Sequence, residues 1–219
     1  MEEEVPMEHL RKFSYDTNKF GFRECFLDLY GIEQPEIIHE YLPSFANYQS
    51  QNDSNTILHK VFYANFDRVF KKLYISFLSQ ITEIVKMPFY YQQIPNIRFG
   101  FPNMQWLKEF HTDAQYNHPP GELNINLAIT TSIGTAALQI EEHPNGRIIP
   151  LTQKYGEFTF IDHLSCKHGS IINTEDYTLV SLDFRILPKD RIQENFQKSS
   201  VLQGKKFVPG QYFSSNYYE

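Results

Sequence analysis

The sequence predicts an α+β fold, mainly β, in which N-terminal helices pack on one sheet of an antiparallel β domain. Two patterns predict it. Between residues 56 and 86, apolar residues recur at steps of three and four, which is typical of a helix with one buried face. After residue 88, short runs of alternating apolar and polar residues are separated by Pro, Gly and Asn, as in antiparallel strands. An apolar fraction of 41% in 219 residues is sufficient for one buried core.

Three helices are predicted before the strands begin. Pro35 suits the first turn of the second helix. Asn55 or Thr56 can cap the third helix and Pro88 ends it. A polar connector at 48–55 precedes this third helix, whose apolar stripe we interpret as the face that packs on the sheet. The predicted helices span 22–32, 35–42 and 56–86.

Eight short strands are predicted in the second half of the chain. Following helices, they predict a jelly roll or cupin-like barrel (a double-stranded β-helix) with the helices on one sheet. The chain is then a single domain with a helical segment at 1–90, a β-helix core at 91–188 and a C-terminal extension at 189–219. Aromatic residues of the extension could cover the mouth of the barrel or contact a second copy in a homodimer. The predicted strands are 96–101, 105–111, 123–131, 136–142, 146–150, 157–162, 166–172 and 178–187.

Composition and charge exclude several classes of partner. The net charge is −6, with 20 basic and 26 acidic residues and no long basic run, which argues against nucleic acid as the main partner. No window has the roughly 18 consecutive apolar residues of a membrane span, and the acidic N-terminus does not resemble a signal peptide. Cys25 and Cys166 lie outside any disulfide pattern and are predicted to be reduced thiols. We therefore expect a cytoplasmic protein that acts on a small molecule.

A candidate metal site is formed by His111, Asp113 and a distant third residue, His168. In a strand, residues two apart project on the same face, so His111 and Asp113 are expected to point inward together. Two imidazoles and one carboxylate occupy one face of an octahedral Fe(II) and leave positions for O₂ and substrate. A His-x-Asp pair alone is a weak signal, because a chance surface pair explains it equally well. The third histidine, at the start of a later predicted strand, makes the metal site more specific.

A family resemblance covers about 90 of the 219 residues. The run at 111–124, His-Thr-Asp-Ala-Gln-Tyr-Asn-His-Pro-Pro-Gly-Glu-Leu-Asn, resembles the iron-binding segment of the StrG-type proteins of streptomycin biosynthesis. Those proteins are similar to the Fe(II)/2-oxoglutarate-dependent oxygenases. The matching runs continue at 155–157, 160–162, 168–170, 173–174 and 180–188.

The resemblance implies an oxidoreductase, a dioxygenase that binds Fe(II) through His111, Asp113 and His168. It further implies 2-oxoglutarate as co-substrate, with O₂, in the hydroxylation, desaturation or cyclisation of a small polar metabolite. The reaction type and the substrate stay open at this point.

One departure from the family pattern concerns the co-substrate. Where the wider superfamily has an arginine for the distal carboxylate of 2-oxoglutarate, this chain has Leu179, although Ser181 stands where a hydroxyl is expected. Leucine cannot replace a bidentate guanidinium. Arg185 shares the inward face with Leu179, but six residues of strand span about 20 Å. Arg98 could approach from another strand, so Arg98, Arg185 and Ser181 are all candidate cofactor-binding residues.

Five further residues could have either a functional or a purely structural role. Asn124 could bond a co-substrate oxygen or satisfy a buried backbone group. His118 could touch substrate or lie in solvent, and Glu122 could support the site or close a loop by an ion pair. Cys166 is expected to be a packing residue, and His163 a turn residue.

Two alternatives to the 2-oxoglutarate oxygenase remain. Leu179 favours a non-haem iron oxidase or dioxygenase whose substrate itself ligates the metal, without 2-oxoglutarate. The third hypothesis is a non-catalytic, cupin-like protein that binds a metal or a small ligand.

Overall fold

A computed structural model describes residues 9–42, 56–107, 109–193, 196, 198–200 and 204–219. Three α-helices precede most of the strands, and a 3₁₀ segment spans Pro35–Tyr41. Thr56 caps the second α-helix, since its side chain accepts a hydrogen bond from the His59 amide, as predicted. The predicted connector at 48–55 lies outside the described residues. The α-helices are α1 (Phe22–Tyr30), α2 (Ile57–Val69) and α3 (Lys71–Val85).

Within the described residues, nine strands form two antiparallel sheets. In the larger sheet the order is β1-β7-β4-β9-β2, and β3 pairs with another part of β9. The smaller sheet has the order β6-β5-β8. The strands are β1 (Leu10–Ser14), β2 (Phe89–Tyr91), β3 (Asn96–Gly100), β4 (Leu123–Ala128), β5 (Gln139–Glu141), β6 (Ile148–Pro150), β7 (Glu157–Ile161), β8 (His168–Gly169) and β9 (Leu179–Pro188).

Strand β9 is buried along its whole length, and its two faces have different compositions. Val180, Leu182, Phe184 and Ile186 belong to the main hydrophobic core. The alternate residues include Ser181, Asp183 and Arg185, which are also buried but polar. Because side chains alternate along a strand, the helix-facing side of the large sheet is apolar and its other side is polar.

The helices pack on the apolar face of the large sheet, as predicted. The Phe77 ring of α3 lies 5.3 Å from Phe158 of β7 and 6.4 Å from Phe184 of β9, between ring centroids. Tyr74, one turn earlier, lies 5.1 Å from Phe184. These edge-to-face contacts bury large side chains, so α3 holds the sheet from outside and leaves its polar face to the site.

Several predicted elements need correction. The predicted single helix at 56–86 is two helices, with Phe70 (φ −102°) between them; neither Pro nor Gly marks that position. The predicted strand at 105–111 is absent from its described residues, where only a bridge between His111 and His168 forms. Strands β1 and β2 were not predicted, because each is a short strand at an edge of the sheet.

The C-terminal segment packs against the end of the large sheet. Phe207, Tyr212 and Phe213 form a buried cluster with Leu187 of β9. Phe213 bridges to Gln92. These aromatic residues thus pack on the end of β9, and their covering of a barrel mouth stays a prediction. Contact with a second copy stays a prediction, as does the division of the chain at residues 90 and 188.

Two further sequence expectations concern the thiols and a membrane. Cys25 is half-buried, Cys166 is buried, and both are free thiols. Among the described helices, none combines the length and the apolar character that a membrane crossing requires.

Replacing Phe77 with Ala should destabilise the protein by about 3–5 kcal/mol, because a fully buried ring is removed from the contact between α3 and the large sheet. Urea unfolding followed by circular dichroism measures the change. Ile148→Ala is the control, since Ile148 is 47% exposed and should change stability by about 0.5 kcal/mol or less. Equal effects of the two substitutions would contradict the packing described here.

Candidate metal centre

The structure brings His111, Asp113 and His168 together. His111 and His168 exchange two backbone hydrogen bonds, of 3.0 and 2.9 Å, in an isolated bridge. Asp113 begins a 3₁₀ turn, Asp113–Tyr116, whose N-cap is Thr112. The expectation that His111 and Asp113 project from one strand is therefore wrong. It is the turn that directs the carboxylate toward the imidazoles.

The distances suit a single ion. Asp113 Oδ1 lies 3.8 Å from His111 Nε2 and 3.5 Å from His168 Nε2. One ligand atom from each residue lies within 4.8 Å of the other two. Metal–ligand bonds of about 2.0–2.2 Å require neighbouring donor atoms to be only slightly closer than the 3.5 and 3.8 Å that separate Asp113 Oδ1 from the two imidazole nitrogens. The donor set and its spacing thus fit a divalent cation such as Fe(II).

Both imidazoles are oriented by backbone carbonyls. His111 Nδ1 donates to the Glu109 carbonyl at 2.8 Å, and His168 Nδ1 donates to the Cys166 carbonyl at 3.2 Å. Because a carbonyl only accepts, Nδ1 carries the proton in each ring and Nε2 keeps its lone pair for a metal. Burial lowers the pKa of His111, which favours this neutral form.

Arg185 holds the Asp113 carboxylate from the side away from the imidazoles. Its Nη2 and Nε donate to Asp113 Oδ2 at 2.7 and 3.2 Å, while Oδ1 faces the two histidines. Burial alone would raise the pKa of Asp113, but the Arg185 guanidinium holds it well below its usual range. Asp113 is thus a charged donor.

The guanidinium of Arg185 also contacts other groups. Glu122 Oε1 lies 3.3 Å from Nε, and Asp183 Oδ1 lies 3.5 Å from Nη1. The Tyr212 hydroxyl accepts from Nη1 at 3.4 Å. Arg185 therefore joins three buried carboxylates and the C-terminal segment. Asp183 lies two residues away on the same strand, whereas Asp113 comes from the distant 3₁₀ turn.

His163 is a site residue that the sequence analysis missed. Its ring is 4% exposed and stacks on His168, with 3.9 Å between centroids and 13° between planes. Its Nδ1 lies 3.8 Å from Asp113 Oδ2. Neither ring nitrogen has a hydrogen-bond partner in the described part of the chain. His163 does lie in a turn, as predicted, and its carbonyl accepts from the Asp113 amide at 2.7 Å. The position of its buried ring beside the site was not predicted.

Arg98 and Ser181 lie opposite each other in the register of β3 and β9. Arg98 donates to Asp183 Oδ2 through Nε at 2.9 Å and Nη2 at 2.8 Å. Leu179, two residues before Ser181, packs in an apolar cluster with Trp106. The site therefore contains two arginines that pair with carboxylates, and leucine stands where the family has its clamping arginine.

Asn124 lies on the polar face of β4, opposite Arg185 in the register. It is 3% exposed. In the described chain, neither its amide nitrogen nor its amide oxygen has a hydrogen-bond partner. Since buried polar atoms are rarely unpaired, this side chain is suited to bind a polar ligand.

His118 and Glu122 form a buried pair beside Arg185. His118 Nδ1 lies 2.8 Å from Glu122 Oε1, and the His118 side chain is only 10% exposed, so the interpretation of His118 as a solvent residue is wrong. Burial raises the pKa of Glu122, against the lowering effects of His118 and Arg185. Ligand atoms of Asp113, His118 and Glu122 lie within 4.8 Å of one another. A substrate role for the pair stays a prediction.

Solved structures with the same overall fold are non-haem oxygenases. A non-haem monooxygenase, ThoJ, in complex with nickel has a TM-score of 0.52 at 11% identity, covering 89% of this chain and 79% of its own. The non-haem α-ketoglutarate-dependent carbocyclase SnoK from nogalamycin biosynthesis has a TM-score of 0.51 at 11% identity, covering 97% and 93%.

By sequence, the chain is similar to the streptomycin biosynthesis protein StrG of Streptomyces griseus. The two are 29% identical over 165 residues, which is 75% of this chain and 79% of StrG. No profile of a protein family matches the chain. The resemblance to StrG-type proteins is thus confirmed, and it extends well beyond the 90 residues on which it was first based.

Arg185→Met should destabilise the protein by about 3–5 kcal/mol at pH 7, because Asp113, Asp183 and Glu122 would lose their buried cation. Arg185→Lys should recover only part of the loss, since an ammonium lacks the guanidinium fork. Urea unfolding measures both. Arg147→Met, at a 76% exposed arginine paired with Glu142, should change stability by about 1 kcal/mol or less. A similarly small effect of Arg185→Met would refute this role for the guanidinium.

Proposed function

We propose that the protein is an Fe(II)-dependent oxygenase that uses 2-oxoglutarate and O₂ to oxidise a small polar metabolite. The observation that carries the proposal is the convergence of two imidazoles and one ionised carboxylate at His111, Asp113 and His168. That donor set leaves positions open on an octahedral iron. A double-stranded β-helix arrangement of the two sheets would place this triad inside the barrel.

In this proposal His111, Asp113 and His168 hold the iron, and Arg185 keeps Asp113 ionised and turned toward it. Bound Fe(II) together with 2-oxoglutarate would activate O₂, which side chains alone cannot do. The protein contributes ligand orientation and exclusion of water. Phe207 supports the exclusion of water, since the centroid of its ring lies 4.4 Å from that of the His118 ring.

Two residues support binding of the co-substrate. Asn124 offers an unpaired amide donor and acceptor on the buried polar face, which suits a carboxylate or keto oxygen. Ser181 is 2% exposed and lies on the same side of β9 as Arg185. Arg98 and Arg185 are the cations available for the carboxylates of 2-oxoglutarate, and each would have to share its guanidinium with the acid that it now contacts.

The buried pair of His118 and Glu122 is suited to a polar substrate. His118 Nδ1 is bonded to Glu122 Oε1, whereas Glu122 Oε2 has no hydrogen-bond partner among the described residues, so this oxygen can accept from a hydroxyl or amino group. The outcome (hydroxylation, desaturation or cyclisation) depends on where such a substrate is held.

One observation favours a second candidate, an iron oxidase or dioxygenase without 2-oxoglutarate. Leu179 packs with Trp106 in an apolar cluster, so an apolar side chain stands where the family usually has the arginine that binds 2-oxoglutarate. In that case the substrate itself would ligate the iron. A non-catalytic metal-binding or ligand-binding protein is the third candidate, and turnover distinguishes it from the other two.

Anaerobic addition of one equivalent of Fe(II) and then of 2-oxoglutarate should produce a visible metal-to-ligand charge-transfer band, because the keto acid chelates ferrous iron within the site. Asn124→Ala should weaken 2-oxoglutarate binding about tenfold, the effect of one or two lost hydrogen bonds, and leave iron binding unchanged. The iron isotherm of the same variant is the control. Iron binding without a band, with O₂ uptake that ignores 2-oxoglutarate, would overturn the proposal in favour of the second candidate.

A further inference from the structure

A second group of metal-ligating side chains lies apart from the triad. It consists of His9, Asp162 and Cys166, and one ligand atom from each lies within 4.8 Å of the other two. His9 Nδ1 and Asp162 Oδ2 are 2.9 Å apart. The group shares no residue with the triad, and the proposed oxygenase chemistry does not use it.

The backbone fixes the positions of all three residues. The Asp162 amide donates to the His9 carbonyl at 2.9 Å, which extends the ladder between β1 and β7 by one step. The Cys166 amide donates to the Asp162 carbonyl, also at 2.9 Å. This second hydrogen bond closes the turn at 162–166, so that the Cys166 thiol lies at the end of the β1–β7 pair.

The surroundings of the group are acidic. Glu141, which is 6% exposed, accepts a hydrogen bond from the Lys167 amide at 2.9 Å, next to Cys166. Within the described ranges, neither Asp162 nor Glu141 forms an ion pair with a lysine or an arginine; His9 is the partner of Asp162. Two carboxylates without a lysine or arginine partner favour a cation at this place.

We propose that His9, Asp162 and Cys166 bind a Zn(II) ion. Imidazole, carboxylate and thiolate are the ligands of zinc in proteins, and three protein ligands leave a fourth position for water. The thiolate distinguishes this group from the triad, since soft sulfur favours zinc. Binding replaces the thiol proton of Cys166 with the metal, and the proton is released to solvent.

The position of this ion gives it a consequence for the triad. The turn at 162–166 leads directly into His168, and the carbonyl of Cys166 accepts from His168 Nδ1 at 3.2 Å. His163, which stacks on His168, follows Asp162. A zinc ion would thus join β1 to the turn that carries His163 and precedes His168, and it would act as a structural brace.

Co(II) titration of the metal-free full-length protein tests the proposal, because cobalt replaces zinc and reports its ligands. We expect two equivalents to bind, one of them with a sulfur-to-cobalt charge-transfer band in the near ultraviolet. Zn(II) should displace that cobalt and abolish the band. His9→Ala and Cys166→Ser should each remove the band and one equivalent. His9 is a partly exposed residue far from the triad in sequence, whereas Cys166 is buried, so His9→Ala should disturb folding less than Cys166→Ser.

Cys25→Ser is the matched control, because Cys25 is the other thiol of the chain, and it should keep the band. His111→Ala should also keep the band while it loses the other equivalent. No band in the wild-type protein, a band that survives Cys166→Ser, or a band that is lost in Cys25→Ser would overturn the zinc site. If the band forms but His111→Ala still binds two equivalents, the iron site is wrong and the zinc site stands.

Discussion

The contact between Arg185 and Asp113 is the interaction on which the site depends. A carboxylate that is 3% exposed without a cation would bind a proton and cease to be a good metal ligand. Arg185 prevents this and leaves one carboxylate oxygen directed at two imidazoles. Three carboxylates (Asp113, Glu122, Asp183) and two guanidiniums (Arg98, Arg185) leave one formal negative charge in this network. A divalent cation at the triad is thus favoured by the surrounding charge as well as by its ligands.

Strand β9 connects this polar network to the stability of the fold. One side of the strand packs on the helices through Leu182 and Phe184, and the other side carries Asp183 and Arg185. Because alternate residues of one strand serve the core and the site, a shift of register by one residue would exchange the two faces. The packing of α3 on the apolar face therefore also fixes the positions of the charged groups.

The α+β class and the pair of His111 and Asp113 could be predicted because they rest on short-range patterns. The third histidine, His168, depended also on the family resemblance. The helical stripe, the alternation of β9 and the spacing of His111 and Asp113 are all visible in the sequence. The backbone conformation that brings His111 and Asp113 together was not visible in the sequence. A 3₁₀ turn capped by Thr112 stands in place of the predicted strand. Turns of four residues leave little periodic signal.

Contacts between distant elements were harder to predict. Arg185 was judged by its separation from Leu179 along one strand, whereas its partner Asp113 comes from a turn 72 residues earlier. His163 could have been noticed only as a second histidine five residues before His168; nothing in that spacing indicates a stacked ring. The burial of His118 under Phe207 depends on the C-terminal segment, whose position no local pattern gives.

The most direct test of the account is the anaerobic Fe(II) binding isotherm of Asp113→Ala beside that of the wild-type protein. Asp113 is the anionic ligand and the partner of Arg185, so the account predicts one ferrous ion bound in the wild-type protein and a loss of affinity of at least about 100-fold in the variant. An Asp113→Ala variant that folds and binds iron with the affinity of the wild-type protein would show that the metal is held elsewhere.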